Sequence, residues 1–135
     1  MLMHRILVIE DNFLIRYALQ HQLESEGYGM LLAEDGEAGV ALAGKEQPDL
    51  ILLDITLPGL DGWSAARLLK GTPNTALIPI IALTGHNSEC FRVKAMAKGF
   101  DGCESKPIDF ERLQGLMQAL LKNRECQAKP QTTVP

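Results

Sequence analysis

The sequence has few cationic residues close together. Its 13 Lys and Arg residues form no run longer than two, and with 17 Asp and Glu residues the net charge is −4 at pH 7. A surface that binds nucleic acid needs clustered cations to displace the counterions of the phosphates. We therefore expect no nucleic-acid partner.

The chain also has few cysteines and no long apolar run. No stretch approaches the roughly 20 continuous apolar residues of a membrane span, and residues 1–6 do not resemble a secretory signal. The cysteines Cys90, Cys103 and Cys126 are odd in number and form no C-x-x-C motif. We therefore expect a cytoplasmic protein without membrane contact, in which Cys90 and Cys103 are small apolar fillers and not redox sensors.

What the chain does contain is a repeated alternation of short apolar runs and longer amphipathic stretches. The predicted strands are 5–9, 29–33, 50–53, 79–83 and 102–105, and the predicted helices are 12–27, 36–46, 63–70, 88–98 and 110–122. The runs are apolar at successive positions, which is typical of strands covered on both faces. This pattern predicts an α/β fold: a doubly wound, five-stranded parallel sheet with helices on both faces.

Two details of this prediction concern a helix face and the end of the domain. In helix 36–46 we expect Ala38, Ala41 and Leu42 to face inward. Beyond Lys122 the chain is polar and contains two prolines. We therefore expect a single domain over residues 1–122, followed by a disordered tail over residues 123–135.

Polar side chains follow four of the five apolar runs. Glu10 and Asp11 follow the first run, Asp54 the third, Thr84 the fourth and Lys106 the fifth. The carboxyl ends of parallel strands meet at one edge, in the crevice where ligands bind. Three carboxylates in one crevice repel one another unless a cation neutralises them, and oxygen ligands favour Mg²⁺ over Zn²⁺. Asp54 could then attack a phosphoryl donor while Mg²⁺ and Lys106 hold the transferring oxygens and the Thr84 hydroxyl reaches one of them.

Each of these residues also has a simpler interpretation when it is taken alone. Glu10 and Asp11 could be acids favoured at a helix start by the macrodipole. Thr84 could be a cap and Lys106 a surface residue. The ordered set, and not any one member, predicts a site.

The segments that carry this set resemble response regulator receiver domains of two-component signalling. The matching segments are 6–12 (ILVIEDN), 52–62 (LLDITLPGLDG), 80–85 (IIALTG) and 106–107 (KP), in family order and spacing over about residues 4–121. The resemblance implies the flavodoxin-like strand order 2-1-3-4-5 and dependence on Mg²⁺. It also implies a histidine kinase or a histidine phosphotransfer protein as the phosphoryl donor.

The resemblance assigns a role to each matching residue. Asp54 corresponds to the phosphoacceptor, and Glu10 and Asp11 to the acidic pair that binds the metal with it. Thr84 corresponds to the switch hydroxyl and Lys106 to the invariant lysine.

Further residues follow from the same resemblance. The backbone carbonyl of Thr56 would be the remaining protein ligand of the metal. Gly85 and His86 flank the site beside the switch hydroxyl, and Thr56 and His86 stand where variable side chains tune the lifetime of the acyl phosphate. The bond between Lys106 and Pro107 resembles the family's cis peptide bond.

Cys103 departs from the family pattern. It stands three residues before Lys106, where receivers usually have Tyr or Phe, a ring that joins the site to the output surface. A cysteine side chain is too small to join the site to the output surface as that ring does. Either the output surface is read differently in this chain, or a neighbour such as Phe100 replaces the ring.

These observations predict a single-domain receiver that takes a phosphoryl group from a phosphohistidine onto Asp54 and hydrolyses it slowly. It would not be an enzyme for other substrates. Without an output domain of its own, it would signal to a downstream protein through the fourth and fifth predicted helices, as a monomer or a phosphorylation-dependent dimer. The alternatives are a receiver excised from a hybrid histidine kinase, a phosphohydrolase with an Asp nucleophile, and a receiver-like scaffold that is not phosphorylated. The phosphohydrolase is disfavoured because its usual second acid would stand at Thr56.

Overall fold

The computed structural model describes residues 3–85, 90, 92–93 and 99–128. Within these residues, five strands form one sheet in the order β2-β1-β3-β4-β5, and every neighbouring pair is parallel. The strands are β1 (Arg5–Ile9), β2 (Gly29–Ala33), β3 (Leu50–Asp54), β4 (Ile80–Thr84) and β5 (Gly102–Ser105). The predicted strand order is confirmed, and the observed strand bounds lie within one residue of the predicted ones.

Helices connect the strands, as parallel pairing requires. They are α1 (Phe13–Ser25), α2 (Gly36–Glu46), α3 (Gly62–Gly71) and a final helix (Phe110–Ala128). Cys90, Arg92 and Val93 are also helical, and the other residues of the predicted helix 88–98 lie outside the described residues. None of the described helices is long and apolar enough to cross a membrane.

The sheet separates two apolar cores because successive residues of a strand point to opposite faces. One core combines residues of β1, β3 and β4 with α1 and the final helix, through side chains that include Ile6, Val8, Leu19, Leu52 and Leu113. The other combines the alternate strand residues with α2 and α3, through side chains that include Leu7, Ile9, Ala43, Leu53 and Ala66. Helices on both faces are thus confirmed. They explain why the central strands are apolar at successive positions.

The inward face of α2 differs from the prediction. The prediction is wrong for Ala38 and Ala41, which are exposed, whereas Leu42 is partly buried and packs against the core as expected. Gly39 is buried instead, and a Cβ atom there would clash with the side chain of Ile9 in β1. The helix therefore approaches the sheet along a glycine, which gives no signal in a pattern of apolar side chains.

The final helix is longer than predicted. It continues to Ala128, so the prediction of a disordered tail is wrong for residues 123–128. The Arg124 Nη1 atom donates to the carbonyl oxygens of Pro48 at 3.0 Å and Asp49 at 2.8 Å, which holds the extra turn against the loop before β3. Nothing in residues 123–128 bars a helix, whereas Pro130 disfavours helical conformation in the residue before it. Residues 129–135 lie outside the described residues.

Candidate active site

The acidic residues predicted from the strand ends lie together. Glu10 follows β1, Asp54 is the last residue of β3, and the two strands pair side by side. One carboxylate oxygen from each of Glu10, Asp11 and Asp54 lies within 4.8 Å of the other two. Glu10 is fully buried and Asp54 is 2% exposed, whereas Asp11 is exposed to solvent. The carboxyl ends of two neighbouring strands therefore form an acidic pocket.

Lys106 reaches this pocket from the far side of the sheet. It follows β5, which is separated from β3 by β4. Its backbone N–H donates to the carbonyl oxygen of Thr84 at 2.6 Å, and its peptide bond to Pro107 is cis, as the resemblance implied. Its Nζ lies 2.9 Å from Glu10 Oε1 and 3.3 Å from Asp54 Oδ2. We call Glu10, Asp11, Asp54 and Lys106 the acidic crevice.

The buried charges of the acidic crevice change one another's protonation. Burial raises the pKa of Glu10 to about 7, and the Asp54 charge adds to this effect, while Lys106 and the backbone N–H of Asn12 oppose it. Burial by itself lowers the pKa of Lys106. The hydrogen bonds and charges of Glu10 and Asp54 outweigh that effect, so the pKa of Lys106 lies above its ordinary value. At neutral pH the ammonium is therefore charged, while Glu10 is near its midpoint.

The two oxygens of Asp54 have different partners. Oδ1 accepts hydrogen bonds from the backbone N–H of Thr56 at 3.0 Å and from its hydroxyl at 3.1 Å. Oδ2 faces the ammonium of Lys106. The contact with the Thr56 hydroxyl is an addition to the sequence prediction. The metal-binding role of the Thr56 backbone carbonyl stays a prediction.

Thr84 ends β4, the strand next to Asp54. The residue before it, Leu83, pairs in register with Asp54, so Thr84 lies one step beyond that level at the same edge. Thr84 is fully buried and Gly85 is exposed. A Cβ atom at Gly85 would meet none of the described atoms within 4 Å. The roles of Thr84 and Gly85 stay predictions, and His86 lies outside the described residues.

Gly62 supports the site, and the sequence prediction did not single it out. Its backbone N–H donates to the carbonyl oxygen of Ile55 at 2.9 Å, and a Cβ atom on Gly62 would clash with the carbonyl oxygen of Asp54 and with the Cα of Ile55. Asp61 caps α3 by accepting from the N–H of Ser64 at 2.8 Å. The N-terminus of α3 therefore packs directly on the backbone that carries Asp54. The sequence signal was the pair Asp61-Gly62, which by itself indicates only a turn.

Cys90 and Cys103 form a disulfide across 13 residues of sequence, with Cα atoms 5.7 Å apart. The expectation of two unpaired fillers is therefore wrong, although both side chains do pack in the core shared with α2 and α3. The side chain of Cys103 in β5 points to the face of the sheet on which Cys90 packs, and this brings the two sulfurs together.

Aromatic rings lie in the same region as the disulfide. Phe100 is buried and meets Trp63 edge-to-face, with ring centroids 5.3 Å apart. We call Cys90, Cys103, Phe100 and Trp63 the cysteine edge. The suggestion that Phe100 replaces the ring usually found at Cys103 agrees with its burial here and stays a prediction.

A doubly wound parallel sheet whose strand ends bring three carboxylates and a lysine together defines the class of receiver domains. This chain belongs to the response regulator receiver domain family, whose pattern matches residues 6–118. Protein PilH of Pseudomonas aeruginosa is 40% identical over 119 residues, which cover 88% of this chain and 98% of PilH. Response regulator MprA of Mycobacterium tuberculosis is 36% identical over 118 residues, which cover 87% of this chain and 50% of MprA. The chain thus spans about half the length of the second relative.

Solved structures agree with this assignment. The receiver domain of the sensor histidine kinase PA1611 of Pseudomonas aeruginosa has a TM-score of 0.82 and 33% identity, and the match covers 90% of this chain and 99% of that domain. That structure holds a magnesium ion coordinated in its active-site cleft. Chemotaxis response regulator CheY4 of Vibrio cholerae has a TM-score of 0.80 and 28% identity over 88% of this chain and 99% of CheY4. The predicted fold and the predicted class, a two-component signalling protein, are confirmed.

Proposed function

We propose that this chain is a single-domain receiver that accepts a phosphoryl group on Asp54 from a phosphohistidine of a histidine kinase or a histidine phosphotransfer protein. The observation that carries the proposal is the acidic crevice, in which Lys106 contacts both Glu10 and Asp54 and three carboxylates converge within 4.8 Å. The similarity to PilH, of which this chain covers 98%, supports a receiver that acts without an attached output domain.

The acidic crevice fits a divalent cation. When all its groups are ionised, three carboxylates and one ammonium leave two net negative charges, which one divalent cation would balance. Because every donor is an oxygen, Mg²⁺ suits the site better than Zn²⁺. Glu10, Asp11, Asp54 and the backbone carbonyl of Thr56 would hold it. When bound, Mg²⁺ would neutralise charge on the oxygens of the transferring phosphoryl group. The magnesium ion in the cleft of the PA1611 receiver supports this assignment.

Asp54 Oδ2 is the nucleophilic atom in this proposal, because Oδ1 is already held by two hydrogen bonds from Thr56. A bond forms between Oδ2 and phosphorus while the bond from phosphorus to the donor's imidazole nitrogen breaks, and the electron pair of that bond stays on the nitrogen. Lys106 Nζ, 3.3 Å from Oδ2, counters the charge of the phosphoryl oxygens. Thr84 would donate its hydroxyl hydrogen to one of them.

A phosphoryl group would add about −1.5 to −2 charges to a crevice that is already anionic. This charge would shift an existing equilibrium between two surface arrangements, which a downstream protein reads. The proposed output surface includes the final helix and the exposed helical residue Arg92. A cytoplasmic location and phosphorylation-dependent dimerisation belong to the same proposal.

The N-terminal turns of α1 are the surface that we propose for donor contact. Phe13 is 63% exposed, Leu14 is 73% exposed and Tyr17 is 50% exposed, although all three are large and apolar or aromatic. They follow directly after Asp11 along the chain. A groove of about 570 Å³ runs between α1 and the start of the final helix, and Leu14 and Lys106 both line it. A donor that lies in this groove would bring its phosphohistidine to the acidic crevice.

Labelling with acetyl phosphate tests the central proposal. The wild-type chain should gain one acid-labile phosphoryl group in the presence of Mg²⁺ and none in EDTA, and Asp54→Asn should gain none in either condition. Asp61→Asn is the matched control, since Asn also caps helices and Asp61 lies outside the crevice. Equal labelling of Asp54→Asn would contradict the assignment. Steady hydrolysis of many phosphate esters would favour the phosphohydrolase, and absence of any label would favour the scaffold.

The donor surface has a separate test. Leu14→Asp should slow transfer from a phosphohistidine protein severalfold and leave labelling by acetyl phosphate unchanged, because the small donor needs no groove. Leu77→Asp is the control, since Leu77 is 77% exposed in the connection between α3 and β4. If both variants behave alike with both donors, α1 is not the contact surface.

A second candidate function rests on the similarity to the PA1611 receiver, which is part of a sensor histidine kinase. In that case the same transfer to Asp54 would occur, but the phosphohistidine would belong to the kinase that carries the receiver. The length of the gene product in the source organism distinguishes the two. A product with kinase segments would establish the hybrid kinase, and a product that consists of this domain alone would establish the single-domain receiver.

A further inference from the structure

We propose that Cys90 and Cys103 form a reversible thiol–disulfide pair that restrains the chain on both sides of Thr84. Cys103 lies on β5 and pairs in register with Ala82, two residues before Thr84 on the neighbouring strand. Cys90 follows Thr84 by six residues. The disulfide therefore ties Cys90 to β5, the strand that pairs with the strand of Thr84. Its effect on signalling rests on the proposed function, whereas its formation and its restraint of β5 do not.

The geometry suits a bond that can form and break in the folded protein. The Cα atoms lie 5.7 Å apart, within the range in which a disulfide forms without backbone movement. Cys103 is only 6% exposed, whereas Cys90 is partly exposed. The pair thus combines one partly exposed cysteine with one buried cysteine. The partly exposed cysteine would meet an oxidant, and its buried neighbour would resolve the product.

The size of the domain argues against a purely structural bond. Domains of more than 100 residues bury enough apolar surface to fold without disulfides, and this chain has two extensive cores. Where disulfides occur in reducing compartments, they are generally transient and catalytic or redox-sensing. A single disulfide in a well-packed receiver therefore fits a redox-sensing role better than a purely structural one.

The chemistry is thiol–disulfide exchange with a low-molecular-weight disulfide such as oxidised glutathione. The Cys90 thiolate attacks one sulfur of the oxidant, which forms a mixed disulfide and releases one thiolate. The Cys103 thiolate then attacks the Cys90 sulfur, which forms the Cys90–Cys103 bond and releases the second thiolate. The protein loses two thiol hydrogens as protons, and the oxidant is reduced to two thiols. Reduced glutathione reverses both steps.

The bond would couple redox state to the proposed switch through the cysteine edge. It ties β5 to the helical residues that include Val93, which packs in the same core as Cys103. Trp63 packs against this core and contacts Phe100, and the Arg92 guanidinium lies 5.7 Å from its ring centre. When the bond is closed, Cys90 is held to β5 and has less freedom to move. When the bond is open, this movement is permitted.

The first arm of the test measures the bond itself. In Cys126→Ser, which removes the remaining cysteine of the chain, graded ratios of oxidised to reduced glutathione should convert two thiols to none. The mass should fall by about 2 Da, the two hydrogens of the thiols, and a peptide linking Cys90 to Cys103 should appear. Two free thiols in excess oxidised glutathione would overturn the proposal. A bond that excess dithiothreitol fails to reduce in the folded protein would also overturn it.

The second arm measures the restraint. Backbone amides of Gly102–Ser105 should exchange hydrogen more slowly in the oxidised form of Cys126→Ser than in the reduced form. The triple variant with Cys90→Ser and Cys103→Ser added should not respond to the redox buffer. Equal exchange in the two redox forms would overturn the restraint, whether or not Asp54 can be phosphorylated.

The third arm measures coupling to phosphorylation. Acetyl phosphate with Mg²⁺ should change the fluorescence of Trp63, the chain's one tryptophan, more in the reduced form than in the oxidised form. An equal change in both forms would overturn the coupling. Absence of phosphoryl uptake in both forms would instead contradict the proposed function, while the first two arms would still decide the redox pair.

Discussion

The acidic crevice and the cysteine edge lie close to Thr84 on the same sheet, and they differ in what they bury. The acidic crevice buries the carboxylates of Glu10 and Asp54 with one ammonium between them. The cysteine edge buries sulfur and aromatic rings, joined by a covalent bond and an edge-to-face contact. Like charges in the first region repel one another, whereas every contact in the second is favourable or neutral.

This difference separates chemical function from stability within one domain. The acidic crevice is poised to bind a cation because it is unfavourable without one, and the raised pKa of Glu10 reflects that cost. The cysteine edge contributes stability by restricting the chain. The resemblance drawn from the sequence assigns a role to each residue of the acidic crevice, whereas it marks Cys103 as a departure. The following predictions test whether the two regions are separable, beginning with the largest expected effect.

Reduction of the disulfide should lower the free energy of unfolding by about 3 kcal/mol, since the bond closes a loop of some 14 residues whose entropy it removes from the unfolded chain. Urea denaturation of Cys126→Ser with and without dithiothreitol measures this difference. Adding Cys90→Ser to that variant should abolish the effect of dithiothreitol. Overlapping denaturation curves for the oxidised and reduced protein would show that the cysteine edge does not stabilise the fold.

Gly62→Ala should lower the free energy of unfolding by about 2–3 kcal/mol, because the new Cβ would push α3 away from the backbone at Asp54 and Ile55. Gly44→Ala in α2 is the matched control, since a Cβ at Gly44 would meet none of the described atoms within 4 Å. It should raise stability by about 0.5–1 kcal/mol through helix propensity. Thermal denaturation compares the two, and equal effects of the same sign would contradict this role of Gly62.

The pH dependence of stability should reveal the cost of burying the Glu10 carboxylate in the acidic crevice. The pKa of Glu10 is about 7 in the folded chain, against 4.5 for an unperturbed Glu, chiefly because of burial. Between these values the folded state keeps a proton that the unfolded state releases. The contribution of this group to stability is therefore fully present below pH 4.5 and falls as pH rises through 7, by about 3 kcal/mol.

Denaturation in EDTA at pH 5 and pH 8 tests that prediction. Glu10→Gln should be less sensitive to pH over this range than the wild type. Mg²⁺ should restore stability to the wild type at pH 8 more than at pH 5, because its ligands must be deprotonated. If wild type and Glu10→Gln change equally between the two pH values, Glu10 does not carry the effect.

The smallest expected effect concerns the polar rim of the cysteine edge. Arg92→Met removes the cation over the Trp63 ring and keeps an apolar stem, and it should lower the free energy of unfolding by about 0.5 kcal/mol. Arg16→Met removes a similar cation from the ring of Phe13, also 5.7 Å away. Arg16 also donates to the carbonyl oxygen of Glu10 at 2.7 Å, so Arg16→Met should lower the free energy of unfolding as well. Urea denaturation measures both variants against the wild type, and unchanged stability of Arg92→Met would contradict a stabilising contact with Trp63.

Sequence patterns predicted the sheet well because burial on both faces leaves a direct signal. The observed β2 and β5 have the predicted bounds, and the parallel order follows from repeated strand–helix alternation. Asn is a preferred residue at helix N-termini, so Asn12 could be predicted to cap α1 from the sequence. In the structure its side chain accepts a hydrogen bond from the N–H of Ile15 at 3.1 Å. The buried face of α2 could not be predicted fully from apolar side chains, because Gly39 faces the sheet and has no side chain that would mark this face.

The candidate site also combines features that the sequence predicted with features that it did not predict. The convergence of Glu10, Asp11 and Asp54 follows from parallel strands, whose carboxyl ends share one edge. The contacts of Lys106 need more than this rule. They depend on the length of its side chain and on its backbone bond to Thr84, and neither sets a distance until the sheet is assembled.

By itself, the sequence determined the alternation of strands and helices, the receiver family and the set of charged residues at the strand ends. Each of these depends on neighbours along the chain or on an ordered motif, so the pattern is present before folding. Only the tertiary structure decided the placement of Gly62 against Asp54, the extra turns of the final helix and the pairing of Cys90 with Cys103. Each of these depends on how separate elements pack against one another around the sheet, and no local pattern along the chain sets that packing.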